Sequence, residues 1–268
     1  MSITLILGMV VGAVQGLTGA GGGILAVPIL MASLGWTMQQ AAPVALFAVA
    51  SSAAVGAVEG LRRKIVRYRA GLLMVVAGVP FTGLGTRVAR SVPQEWLMTL
   101  FAMILLLVAG RLFRQVRTGA VPEDEPTPAA LARIRPDTGR FIWNRTTGLV
   151  LGCIGVVTGF MAGLLGVGGG FVIVPMLRRF TNLGMHGIVA TSLFVIALVG
   201  SGGVMTALAY GAELPWLATM LFAGAAIIGM LAARIAGRRM SPLHVQRAFA
   251  SLLVMVACGF IARAAGIF

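Results

Sequence analysis

Residues 16–30 read GLTGAGGGILAVPIL, and residues 163–177 read GLLGVGGGFVIVPML. Nine of the 15 aligned positions are identical, without a gap. The same offset of 147 residues continues downstream, setting Leu46-Phe47 against Leu193-Phe194 and Gly56 against Gly203. A match of this length at constant spacing marks an internal duplication. In each copy three glycines, Gly21-Gly22-Gly23 or Gly168-Gly169-Gly170, precede a proline, Pro28 or Pro175, deep in apolar sequence. Glycine weakens a helix and adopts backbone angles closed to other residues. Proline removes a donor and crowds the turn before it. Together they predict a broken or re-entrant helical segment at 3–34 and another at 146–177.

The surrounding sequence is that of a membrane protein. Of 268 residues, 59% are hydrophobic and 10% charged, and the mean hydropathy is +0.98. A soluble domain runs near 45–50% apolar and about 25% charged. No charge occurs before Glu59, and none from Thr146 to Leu177 or from Thr181 to Ala212. A lipid core admits only helices of about 20 apolar residues or a closed barrel. Barrel strands would alternate over segments of roughly 10 residues, which these runs do not. The expected fold is therefore an all-α polytopic membrane protein of two homologous halves. Each half holds one Gly-rich segment and three transmembrane helices, near 41–59, 68–88 and 95–113, then 187–210, 214–236 and 243–265. The stretch 114–145 carries Pro122, Pro126, Pro128 and Pro136 and the run Glu123-Asp124-Glu125, which is linker chemistry. The organisation is then a first transmembrane repeat at 1–113, a polar cytoplasmic linker at 114–145 and a second repeat at 146–268. The first apolar stretch lacks a basic start and outruns a signal peptide, which argues against cleavage.

The formal charge of +14 belongs to residues flanking the apolar runs: Arg62, Arg63, Lys64, Arg67 and Arg69, then Arg111, Arg114 and Arg117, then Arg238 and Arg239. That placement is the positive-inside pattern, not a nucleic-acid surface. Two topologies fit. Eight full spans leave Arg178, Arg179, Arg234, Arg238 and Arg239 outside. Two re-entrant Gly-rich hairpins place them inside, put the Glu213 turn outside and invert one half against the other. Inverted halves are a recurring transporter design.

Few polar residues lie near the breaks. Candidate substrate contacts are Gln15, Thr18, Ser51 and Ser52 in the first half, and Thr191 and Ser192 in the second. Backbone amides of Gly21, Gly22, Gly23, Gly168, Gly169 and Gly170 join them, with Pro28 and Pro175 helping to fix the breaks. Amide donors at the start of a half-helix suit an anion. No Asp or Glu lies deep in an apolar run, so a cation site or carboxylate proton relay lacks its usual residue. The competing reading is close helix packing at Gly16, Gly19, Gly163 and Gly166. Cys153 and Cys258 lack metal-ligand spacing, and His186 and His244 form no catalytic pattern. An enzyme is not expected, nor a metal or cofactor.

The doubled G-x-G-G-G-x-x-x-V-P motif, at Gly19–Pro28 and Gly166–Pro175, resembles the sulfite exporter TauE/SafE family, and Ala190-Thr191-Ser192-Leu193-Phe194 extends the likeness. The resemblance spans nearly the whole chain. It implies a multi-pass transporter of the bacterial cytoplasmic membrane, moving sulfite, a sulfonate or a related small anion. The Thr191-Ser192 pair departs from symmetry, since Val44 and Ala45 stand in its place in the first half. An anion channel or a non-transporting scaffold is the alternative. The expected partners are a small anion and the bilayer. A coupling proton or other ion, association into homo-oligomers and the direction of transport stay open.

Overall fold

The protein is described here by a computed structural model covering residues 2–19, 22–117, 131–132, 141–237 and 242–264. Gly21, Arg238, Arg239 and most of the linker lie outside those residues. Helices make up the described chain: α1 (Ser2–Thr18), α2 (Gly22–Leu34), α3 (Met38–Arg62), α4 (Tyr68–Ser91), α5 (Gln94–Arg117), α6 (Arg145–Leu165), α7 (Gly170–Phe180), α8 (Met185–Ala209), α9 (Trp216–Gly237) and α10 (Pro242–Ala264). Among the described residues, six helices are long and apolar enough to cross a membrane: α3, α4, α5, α6, α8 and α9. Trp96, Leu107, Leu149, Met205, Ile235 and Met255 are each more than 60% exposed, the pattern of side chains that face lipid rather than water.

Both Gly-rich segments are broken, and the glycines alone make the break. Gly19 ends α1 at φ +74° and Gly166 ends α6 at φ +73°. This is the left-handed conformation that terminates helices and that a Cβ disfavours. Pro28 and Pro175 sit instead inside α2 and α7. The pieces are also unequal: α6 has 21 residues and α7 only 11. In the second segment a span-length helix is thus followed by a short return, whereas in the first α1 has 17 residues and α2 has 13, both shorter than the spanning helices.

Helix directions follow from glycine contacts. Gly8, Gly12 and Gly16 of α1 lie against Phe222, Ala226 and Met230 of α9, so these helices run the same way. In α6, Gly155, Gly159 and Gly163 lie against Met74, Gly78 and Thr82 of α4, again in parallel. These ridges of every fourth residue let backbones touch, the small-residue packing that drives helix association in lipid. A Cβ at Gly16 would sit 2.6 Å from the carbonyl of Met230, and one at Gly155 would sit 2.7 Å from Met74 Cα. Between α3 and α8, Gly60 meets Ala190 and Gly200 meets Ala50, so that pair is antiparallel. In α4, Gly71 meets Phe194 and Val79 meets Gly202, so α4 and α8 are parallel. Phe47 packs edge-on against Trp216 with ring centres 6.4 Å apart, while Gly56 lies against Met230 and Arg234, making α3 and α9 parallel. Helices α1, α3 and α9 therefore run one way, and α4, α6 and α8 the other. Because α1 and α3 are parallel, α2 must carry the chain back between them. Thr37 starts α3 with a reciprocal cap, its side chain accepting from the Gln40 amide while Gln40 accepts from the Thr37 amide.

Candidate functional site

The two breaks meet at the centre of the molecule. Gly23, opening α2, abuts the carbonyl of Val167 in the second break so closely that a Cβ there would clash. Gly19 faces Val189 of α8, and Gly166 faces Ala42 of α3. Gly168 lies between α3 and α8; a Cβ on it would be 3.3 Å from Val49 Cγ1 and 3.3 Å from Ile196 Cγ2. Each break is thus held by the helix that follows the other break.

Most of the polar side chains gather on the first break. Gln15 is 1% exposed, and its Nε2 donates to the Val49 carbonyl at 3.1 Å. Ser52 lies 2.7 Å from Gln15 Oε1 and 2.8 Å from the Ala48 carbonyl, both within reach of its hydroxyl proton. Ser192 lies 3.4 Å from the Gly19 carbonyl and 2.9 Å from that of Val189. At the second break the neighbours are apolar, apart from Thr158. That residue is fully buried beside Gly169, and its Oγ1 has no hydrogen-bond partner. Gln15, Ser52, Ser192, Gly22, Gly23, Gly168, Gly169 and Gly170 are accordingly brought together. Thr18 and Ser51 bond to carbonyls of their own helices, those of Val14 and Phe47. Thr191 is buried one step further along, accepting from the Arg67 amide at 3.1 Å. Pro28 and Pro175 lie along α2 and α7, away from the glycines.

The two ends of the centre differ. Where α3 and α9 begin and α4, α6 and α8 finish, a cavity of about 830 Å³ opens. Gln39, Arg90 and Glu213 are exposed at its rim, and Leu46, Gly163 and Leu164 are buried at its floor, just before the second break. Arg90 donates to the Tyr210 carbonyl at 2.6 Å and lies 5.4 Å over that ring. At the other end, the Glu59 carboxylate joins Arg63 at 2.7 Å and also pairs with Arg234 of α9. Arg67 sits there too, with its Nε buried and without a hydrogen-bond partner. Sequence reasoning missed Thr158, Arg67 and the Glu59–Arg234 pair as parts of the site. The signal for the pair was present: Glu59 is the one acidic residue of α3 and Arg234 the one charged residue of α9. Among the described residues, no group of three or more His, Cys, Asp or Glu could hold a metal ion.

These features define a multi-pass membrane protein with paired broken helices at its centre. The profile of the sulfite exporter TauE/SafE family matches residues 4–260, and the chain belongs to that family. It is similar to YunE of Bacillus subtilis, described as a probable membrane transporter protein, with 26% identity over 97% of this chain and 96% of the relative. A protein of the same description from Xylella fastidiosa is 26% identical over 95% of this chain and 92% of the relative. A third, from Methanocaldococcus jannaschii, is 25% identical over 80% and 74%. No solved structure matches the chain. The protein is thus a membrane transporter by family.

Proposed function

We propose that the protein carries a small sulfur oxyanion or organosulfur anion, such as sulfite or a sulfonate, by alternating access between two inverted halves. One observation carries the reading: the breaks of two helical hairpins touch between a cavity at one end and a cluster of ion pairs at the other. Exchanging α1 with α6, α3 with α8 and α4 with α9 leaves the described helix pairings unchanged, while each helix swaps direction. An assembly of that symmetry can present one central site to either side. First-turn amides of α2 and α7, with Ser52, Ser192 and Thr158, supply neutral donors for an anion.

Sidedness follows from charge. Arg62, Arg63, Lys64, Arg67, Arg69, Arg145, Arg178, Arg179 and Arg234 lie at the ion-paired end, whereas the cavity end carries Arg87, Arg90, Glu95 and Glu213. The positive-inside bias then makes the ion-paired end cytoplasmic and the cavity outward-facing. Purified protein in liposomes, offered sulfite, sulfate, thiosulfate, sulfoacetate, taurine and acetate, tests the assignment. Saturable counterflow of sulfite or sulfoacetate with little movement of taurine, which carries no net charge, is expected. Equal, non-saturating leak of every solute would replace the carrier with a channel, and no flux at all would leave a scaffold.

A further inference from the structure

We propose that Arg234 is an anion-binding residue of the transport path, and that Glu59 occupies its site while the cytoplasmic end is closed. The pair is then an exchangeable ligand set rather than a fixed brace. This rests on the anion-transport reading above.

Arg234 Nη2 would lie 3.2 Å from a Cβ at Gly56, and the same Cβ would lie 2.9 Å from Leu193 of α8. The guanidinium therefore points into the seam of α3, α8 and α9, on the line that leads from the breaks to the basic end. Glycine at 56 leaves the room it needs.

A guanidinium presents a planar fork of N–H donors that fits carboxylate, sulfonate and sulfite oxygens alike. The Arg234 side chain is 22% exposed and that of Glu59 is 38% exposed. A cation this far out of water requires an anion nearby. A pair this open to water is nevertheless screened enough for one anion to replace another. Glu59 also keeps Arg63 as a second partner one helical turn away, so it does not lose all compensation when displaced. Arg67, whose Nε has no partner, adds an unfilled donor to the same mouth.

At the opposite end the 147-residue offset sets Arg87 against Arg234 and Thr206 against Glu59, so a hydroxyl stands there in place of the carboxylate. Thr206 lies 3.4 Å from where a Cβ on Gly83 would stand, and Thr86 donates to the Thr82 carbonyl at 3.0 Å. The cavity lies at the end where the glutamate is replaced by a hydroxyl.

The test uses two readouts on the full chain. Ala190 is 6% exposed and packs on Gly60, so Ala190→Cys reports opening of the ion-paired end. It is placed in a Cys153→Ala, Cys258→Ala background. Glu59→Gln should speed labelling by N-ethylmaleimide about fivefold, the factor a pair of this exposure supplies. Separately, thermal unfolding of detergent-purified protein is followed with sulfite, then with each other anion of the panel. The anion that moves in liposomes should raise the midpoint more in Glu59→Gln than in the unaltered protein. Arg234→Gln should abolish the rise, and Arg234→Lys should retain part of it. An unchanged labelling rate in Glu59→Gln, or a full anion-induced rise in Arg234→Gln, overturns the inference while the transport reading stands. If no panel anion moves or stabilises any variant, the transport reading falls and the inference falls with it.

Discussion

Ser52 Oγ lies 2.7 Å from Gln15 Oε1, joining the middle of α3 to the last turn of α1 beside the first break. Both residues are buried, and Gln15 Nε2 reaches on to the Val49 carbonyl. Ser52→Ala leaves Gln15 Oε1 without that donor in a dry environment, at a cost of about 1–3 kcal/mol. Gln15→Met costs less, because Ser52 can turn its proton to the Ala48 carbonyl. Thermal unfolding of both single variants and the double variant measures the pair directly. Coupling of roughly 0.5–3 kcal/mol is expected for residues in contact. Strict additivity would mean that the amide and hydroxyl do not act together.

The glycine ridge predicts a contrast between two alanine substitutions. A Cβ at Gly12 runs into the backbone of Ala226, which cannot yield as a side chain could. A Cβ at Gly152 on α6 meets nothing within 4 Å. Gly12→Ala should destabilise the protein by about 1–3 kcal/mol or more through overpacking. Gly152→Ala should stabilise it by about 0.5–1 kcal/mol, the ordinary helix gain. Fluorescence-detected size exclusion after a temperature series ranks the two. Equal behaviour would show that α1 and α9 do not pack as closely as described.

Much of the fold was readable from residue pattern, because long uncharged runs and a repeated Gly-rich stretch are local signals. The helices at α3, α4, α5, α8 and α9 lie where hydropathy places them, within a few residues at each end. Proline misled the placement of the breaks. Pro28 and Pro175 are absorbed within helices, since one missing donor is tolerated where neighbouring segments pack closely. The site was only partly visible for a different reason. Thr158 looks like any helix threonine until Gly169 is set against it, and Gly8 and Gly12 acquire meaning only opposite Phe222 and Ala226. Such contacts join residues far apart in the chain and leave no local periodic trace.

Gly168 offers the cleanest probe of the breaks. It holds φ +74°, and an added methyl would find Ile196 and Val49 at 3.3 Å, closer than usual but against side chains that can give. Alanine in that conformation costs about 1–2 kcal/mol. Gly168→Ala should therefore insert and remain folded, yet lose initial anion flux by about tenfold or more, equivalent to ~1.4 kcal/mol in the barrier. Gly22→Leu and Gly169→Leu should abolish flux, with larger losses of folded protein, since a Cβ at either position clashes with α1 or α6. Normal flux in a folded Gly168→Ala variant would separate the breaks from the transport path.

Topology gives the most direct test of the inverted arrangement. Helices α1 and α3 are parallel, so the segment 2–34 enters and returns on one side; α6 and α8 are likewise parallel, so 145–180 does the same. With the basic end inside, α7 ends at the cytoplasmic face, and the turn between α8 and α9 lies outside. Arg179 and Glu213 are both exposed and stand at these two places. If each Gly-rich segment were instead a single crossing, α8 and α9 would change direction relative to the membrane. Arg179 would then face out and Glu213 in, against the positive-inside bias. Arg179→Cys and Glu213→Cys, each in a Cys153→Ala, Cys258→Ala background, distinguish the two. An impermeant maleimide added to intact cells should label Glu213→Cys and spare Arg179→Cys, and permeabilising the cells should make both react. Labelling of Arg179→Cys alone on intact cells would restore eight full spans and parallel halves. In that case the touching breaks could not serve as one site that changes sides by exchange of the two halves.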